Sequence, residues 1–456
     1  MINSILRKIT LDKLSWIKDR KKKQPLKKFQ NFLEKSERNF YSSLQDKKLN
    51  FILECKKKSP SLGVLNKKFN IIEISKIYTK YASVISILTE EKYFLGKLED
   101  IRTVRKNVTQ PILCKDFFID PYQIYLARYY GADAILLMLS ILNYDQYILF
   151  SNIAHELNMG VLTEINNEKE LKIAIAAKSK VIGINNRNLH DLSIDTNKTK
   201  QIAPLIPKNI KIISESGINK YSQIRKLSRI VHGFLIGSSL MQSKDLDFDL
   251  KKLILGNNKI CGLTNLKDVK KVKSSGAIYA GLIFCPFSKR KISVKKAKIL
   301  TNSIKFNYVG VFQDSSINYI LSVINEVALK AIQLHGNENQ EYISFLKRKI
   351  PKNISIWKAY SIKKNIPPLN LKDIDFYLFD NLQGGSGKTF DWSIFKDKIL
   401  NKEKILLSGG INEKNCLSAL KLEFSGLDFN SGVEKKIGIK SNKKIKLIFK
   451  ILRNYS

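Results

Sequence analysis

The chain has 456 residues, is 44% hydrophobic and 26% charged, and carries a formal net charge of +40. These values exclude a disordered polymer and a small disulfide-stapled scaffold, and at ~100–200 residues per domain they point to two or three domains. No apolar stretch approaches the ~18–20 residues needed to cross a bilayer.

Residues 1–23 mix charges throughout and lack the apolar core and small-residue cleavage site of a leader. The first 48 residues are expected to form extra helices before the first barrel, a cap on it being the more ordinary use than a polybasic helix resting on a membrane. The five cysteines, Cys55, Cys114, Cys261, Cys285 and Cys416, are odd in number and widely spaced. Reduced thiols in a cytoplasmic compartment fit them best.

Short apolar runs then recur at spacings of roughly 20 to 30 residues. FILECK (51–56), VISILTE (84–90), PILCKDF (111–117) and AILLMLS (134–140) come first. GVLTEI (160–165), VIGINNRNL (181–189), KIISESGI (211–218) and GFLIGSSL (233–240) follow. Each is apolar on both faces, as a parallel strand covered by helices must be. Between them, stretches such as 120–132 and 143–160 carry helical spacing, with Asp or Asn starts and Gly stops. Eight such units predict a (β/α)8 barrel. A doubly wound sheet would show a glycine fingerprint after its first strand, and none is present.

The charges at the strand ends fit that barrel, whose reactive face lies at the C-terminal ends of its strands. Glu54 and Lys56 end the first strand, and Lys115 and Asp116 the third. Glu164 ends the fifth, and Asn185, Asn186 and Arg187 the sixth. Glu215-Ser216 and Gly237-Ser238 end the last two. A polar strand end alone is often no more than chain emerging into water. Convergence from six strands points instead to acid–base chemistry. The Ser-Gly and Gly-Ser turns offer backbone N–H groups to a phosphate. Clustered lysines are expected to depress one another's pKa, while Glu164 and Glu215 can keep them charged or accept protons themselves.

After Gly256-Asn257-Asn258 the pattern restarts. KICGLT (259–264), YAGLIF (279–284), YVGVF (308–312), AIQLHG (331–336), SIWKAY (355–360), FYLFDN (376–381), KILLSGG (404–410) and GLDFNSGVE (426–434) give eight more strands. The expected architecture is therefore α/β, two tandem TIM-type (β/α)8 barrels over 1–256 and 257–456. In the second, Cys261, Arg290, Gln333, His335 and Asp380 lie at or just after strand ends. A cysteine facing an aspartate suits a base and acid for an isomerisation, although a lone Cys is ordinarily a small buried hydrophobe. Glycine-rich turns at 384–387, 408–410 and 430–434 suit phosphate. GGSGKT (384–389) does not fit the P-loop spacing.

The basic balance has two readings, a polyanion-binding protein or a lysine-rich solvated surface. The basic runs at 20–23, 56–58, 289–291 and 347–349 are scattered, and no RRM, zinc-finger or bZIP pattern accompanies them, which favours the second.

FILECKKKSPS, PILCKDFFIDPYQIYLARYYGAD, VIGINNRNL, IISESGI and GFLIGSSLM resemble indole-3-glycerol-phosphate synthase. KICGLT, YVGVF, AIQLHGNE, YLFDNLQGGSGKTFDW and GLDFNSGVE resemble phosphoribosylanthranilate isomerase. The whole chain is similar to the fused enzymes of bacterial tryptophan biosynthesis. The resemblance implies an Amadori rearrangement in the C-terminal barrel and indole-ring closure in the N-terminal one, with no metal or cofactor. It implies small phosphorylated anions as partners, rather than nucleic acid or membrane, for a monomer. It makes Lys115 the synthase general acid and gives Glu164 the proton transfer of dehydration. Glu54 and Lys56 position substrate, and Asn185 and Glu215 assist. Ser59, Arg187, Ser216, Gly217, Gly237 and Ser238 hold substrate or phosphate. In the isomerase it makes Asp380 the acid, Cys261 the base and Arg290 the carboxylate anchor. Gln333, His335 and Asn430 contact substrate, and Gly385, Gly387, Gly409, Gly410 and Ser431 contact phosphate. Three positions depart from the family pattern: Asn265 replaces an Arg, Lys289 interrupts an SPR loop, and Ser408 replaces the first Gly of a GGG turn.

Overall fold

The computed structural model describes residues 5–45, 48–188, 191–363, 365–381, 389–395 and 401–454. It divides into two compact units, 1–250 and 251–455, parting within the helix Leu246–Leu255.

Each unit contains one closed, all-parallel, eight-stranded barrel. The first is built from β1 (Asn50–Cys55), β2 (Val84–Leu88), β3 (Ile112–Lys115), β4 (Ala134–Met138), β5 (Gly160–Ile165), β6 (Val181–Asn185), β7 (Lys211–Glu215) and β8 (Gly233–Ile236). Strand β1 pairs with both β2 and β8, which closes the ring. Every residue of β1, β2, β4, β5 and β6 is buried, so the strands read as unbroken apolar runs rather than as an alternation. Ile52, Val84, Leu113, Leu136, Leu162, Ile213 and Leu235 belong to its core.

The N-terminal segment fills two places. The helix α1 (Ile5–Lys23) has its Lys13 ammonium 2.8 Å from Asp116, both nearly inaccessible, in the loop directly after β3. A buried pair of this kind costs desolvation and is retained where it fixes one arrangement. The short helix Phe40–Ser43 is capped by Asn39, whose side chain accepts from the Ser42 N–H. It buries Phe40 beside the start of β5. Gly160 is glycine there because a Cβ would come within 2.5 Å of the Phe40 Cβ.

The second barrel comprises β9 (Lys259–Ile260), β10 (Tyr279–Ile283), β11 (Tyr308–Phe312), β12 (Ala331–Leu334), β13 (Ser355–Ile362), β14 (Phe376–Asn381), β15 (Ile405–Leu407) and β16 (Gly426–Phe429). It closes through β9 on β16. Trp357, inaccessible to solvent, packs edge-on against Tyr279 at 4.7 Å and Phe376 at 5.3 Å between centroids. The last helix, Asn442–Asn454, presents Ile445, Ile448, Phe449 and Leu452 inward and lysines outward. Asn265, where the family pattern has arginine, caps the helix Leu266–Ser275 by accepting from the Asp268 N–H at 2.9 Å.

Candidate active sites

Parallel pairing brings the ends of β1, β3, β5, β6 and β7 to one rim, and a cavity of about 260 Å³ opens there. Glu54, Lys56, Lys115, Glu164, Asn185, Arg187, Glu215, Ser216, Gly217, Gly237 and Ser238 all line it, although they come from six strand ends. Lys115 Nζ stands 3.4 Å from both Glu164 Oε2 and Glu215 Oε2. Glu54 pairs with Lys56 at 2.5 Å, and Asn185 donates to Glu164 at 3.0 Å. Ser59 does not join them. It lies in a two-stranded turn, where its hydroxyl accepts from the Leu62 N–H, so it shapes the loop that carries Leu62 to the cavity wall.

The electrostatics decide between two expectations at Lys115, where the glutamates and not a neighbouring lysine set the direction. Desolvation pulls Lys115 down, but Glu215, Glu164 and Glu54 together outweigh it and raise it well above the ordinary lysine value. Burial pushes Glu215 up to about 8 against the pull of Lys115, while Glu54 is held low because Lys56 and Lys115 overcome its desolvation. The surroundings thus favour the ammonium form of Lys115, while burial favours the protonated form of Glu215.

The remaining wall is apolar and includes Phe94 and Phe117, with centroids 6.2 Å apart. Ser216 (φ 67°) and Gly217 (φ 80°) form a tight turn after β7. Ser239 Oγ donates to Ile218 O at 3.0 Å and ties this turn to the one after β8. Two glycines make room for the acids. A Cβ on Gly183 would lie 3.0 Å from Glu215 Cδ, and one on Gly237 would lie 3.0 Å from Glu54 Cβ, with the carboxylate oxygens closer still. Gly237→Ala should displace the Glu54 carboxylate from Lys56. Steady-state kinetics should then show kcat/KM at this rim falling by about a hundredfold, the scale that a 1 Å misplacement can reach, with turnover at the second rim unchanged.

The second rim encloses about 670 Å³. Cys261, Arg290, Gln333, His335, Asp380, Gly409, Gly410, Asn430 and Ser431 line it. His335 Nε2 is 3.7 Å from Asp380 Oδ2, and the Asn381 N–H donates to Asp380 Oδ1 at 2.8 Å. Cys261 lies against Ile283, Cys285 and Val311, an apolar flank that pushes its thiol pKa up. Gly385 and Gly387 lie outside the described residues.

Arg290 is more committed than the sequence suggests. Its Nε and Nη2 donate to both oxygens of Glu434 at 2.8–3.1 Å, leaving Nη1 without a partner among the described residues. Glu434 also accepts from Lys440 Nζ, which in turn reaches Asn430 Oδ1, both at 2.9 Å. Lys440 and Asp428, with its buried partner Lys259, were missed in the sequence. Each stands beside an apolar run as an ordinary polar flank. Lys289 is exposed on the cavity lip, and Ser408 continues β15 by donating its N–H to Phe379 O at 2.7 Å. Among the described residues no group of three His, Cys, Asp or Glu side chains is placed to hold a metal, and no helix is long and apolar enough to cross a membrane.

Two closed barrels, each with acids, bases and glycine turns gathered at one rim, define a tandem α/β-barrel enzyme with two separate active sites. The family model for indole-3-glycerol phosphate synthase matches residues 6–253, and that for N-(5'-phosphoribosyl)anthranilate (PRA) isomerase matches residues 258–451. The chain belongs to the synthase family over the first span and to the isomerase family over the second. It is 59% identical over 452 residues to the tryptophan biosynthesis protein TrpCF of Buchnera aphidicola subsp. Schizaphis graminum, covering 99% of this chain and 100% of that protein. Against the TrpCF proteins of Salmonella typhi and Haemophilus influenzae the identities are 49% and 47%. The Salmonella match covers 100% of both chains, and the Haemophilus match covers 98% of this chain and 96% of the other.

Proposed function

We propose that residues 257–456 convert N-(5-phosphoribosyl)anthranilate to 1-(2-carboxyphenylamino)-1-deoxyribulose 5-phosphate, and that residues 1–256 close that product to indole-3-glycerol phosphate with loss of carbon dioxide and water. The chain contains both sets of residues, so a monomer suffices.

In the isomerase half, Asp380 would give its proton to the ribose ring oxygen as the C1′–O bond breaks. The resulting iminium acidifies C2′, and Cys261 as thiolate would take the C2′ proton. The enolamine then takes that proton back at C1′ from the Cys261 thiol and gives its C2′ hydroxyl proton to the Asp380 carboxylate, which leaves a ketone at C2′ and restores both groups. Arg290, oriented by Glu434, would offer its remaining guanidinium edge to the anthranilate carboxylate. Backbone N–H groups at Gly409, Gly410 and Ser431 would meet the phosphate.

In the synthase half, the anthranilate ring carbon attacks the C2′ ketone, whose oxygen takes the Lys115 proton. Carbon dioxide leaves, and Glu164 would move the proton that accompanies loss of water. Glu54 and Lys56 would hold the substrate, assisted by Asn185 and Glu215, against the apolar wall of Phe94 and Phe117. The turns at Ser216-Gly217 and Gly237-Ser238 would carry the phosphate, with Arg187 beside them.

The observation that carries this reading is Lys115 held between Glu164 and Glu215 in the cavity that both turns enter. Purified protein, given N-(5-phosphoribosyl)anthranilate and no added metal, should yield indole-3-glycerol phosphate with transient accumulation of the ketone intermediate. Failure to consume either the starting compound or the supplied intermediate would overturn the corresponding half.

A further inference from the structure

The second barrel buries a cation that none of the steps above uses. Lys259 opens β9 with no solvent exposure, and its Nζ lies 2.8 Å from Asp428 Oδ2 on the facing strand β16. An ammonium in a barrel interior is costly, and a leucine or methionine of similar volume would fill the same space. The position of the next inward side chain supplies a reason for the charge. The Cys261 N–H donates to Phe429 O at 2.8 Å, so the ladder continues past β9. Alternation then puts Cys261 on the same face as Lys259, one layer nearer the cavity. Asp428 reaches the cavity as well, and its Oδ1 is buried without a protein partner among the described residues.

We propose that the Lys259–Asp428 pair is a positioning device that governs ionisation of the Cys261 thiol, with the ammonium stabilising the thiolate and the carboxylate restraining it. This rests on the reading of Cys261 as the base. A thiol on an apolar flank ionises only with reluctance, and Lys259 is the buried cation directly beneath it. The other charged groups that face Cys261 are less free to serve. Lys440 approaches from the hairpin Glu434–Lys440 and Arg290 from the loop after β10, and both are bound to Glu434. Cys285 shares the apolar flank and adds no cation. Asp380 and His335 line the same cavity as a pair of their own. Lys259 in turn is raised to about 12, because Asp428 and Cys261 outweigh its desolvation, so its charge persists wherever the enzyme works. Asp428 is a half-satisfied counter-ion. When the thiolate forms, the ammonium gains a second anion without any group leaving the site.

The two partners should act in opposite directions, which a merely structural pair would not do. In the full-length chain, iodoacetamide alkylation of Cys261 is followed peptide by peptide by mass spectrometry across neutral and alkaline pH. Lys259→Met should move the midpoint upward by about one unit or more, and Asp428→Asn should move it downward. The acid limb of the isomerase kcat profile should follow the same order. An unchanged midpoint in both variants, or shifts of the same sign, would overturn the proposal. Where Lys259→Met does not accumulate as folded protein, Asp428→Asn alone decides. A lower midpoint then supports the proposal, and an unchanged or higher one sinks it. The readout is the thiol itself, so it stands apart from the base assignment. That assignment fails if Cys261→Ala retains isomerase activity.

Discussion

Lys115→Met should cut synthase kcat/KM by about a thousandfold and leave isomerase turnover on the same preparation unchanged. General acid catalysis alone is worth ~10²–10⁴ in rate. Lys115 has a second role, because it is the cation between Glu164 and Glu215 and also acts on Glu54. Its removal leaves three buried carboxyl groups with Lys56 and Arg187 as the nearby cations, so the survivors take up protons and the ordered rim relaxes. Isomerase activity serves as the internal control for folding, since its residues lie in the other compact unit. A synthase loss under tenfold, with isomerase turnover intact, would remove Lys115 from the acid's role.

Asp380→Asn should do the converse, lowering isomerase kcat by about a thousandfold while sparing ring closure assayed with the ketone intermediate supplied. The substitution is nearly isosteric. The Asn381 N–H can still donate to Oδ1, and the distance to His335 need not change. What disappears is the transferable proton, and with it the opening of the ribose ring. A variant that keeps KM and loses kcat identifies a group acting in the transition state. A variant whose loss lies wholly in KM would demote Asp380 to a binding contact.

The fold was legible because the sixteen barrel strands are short and largely buried and most are separated from the next by a helical period, a rhythm that survives its interruption between β13 and β14, where no helix intervenes among the described residues. The rim was legible for a related reason. Glu54, Lys115, Glu164 and Glu215 interrupt apolar runs where a buried strand has no cause to carry charge. Ion pairs between distant segments, Lys13 with Asp116, Lys259 with Asp428 and Glu434 with Arg290 and Lys440, leave no local signature, because the sequence around one partner does not point to the other. The sign of the Lys115 shift stayed open between two readings, because it depends on how many carboxylates meet the ammonium in space, and residue order does not give that number.

The glycines behind the acids have a consequence for how such chains drift over generations. At 183 and 237 the missing side chain is dictated by a longer neighbour on the adjoining strand, and Gly281 stands in the same relation to Cys261, whose Sγ would lie 2.6 Å from an added Cβ. Each of these couples therefore forms a single unit of inheritance. At 183 an alanine becomes easier to place once Glu215 has shortened, whereas at 281 the Cys261 Cα itself stands 2.9 Å from the added Cβ, so that glycine stays fixed by backbone.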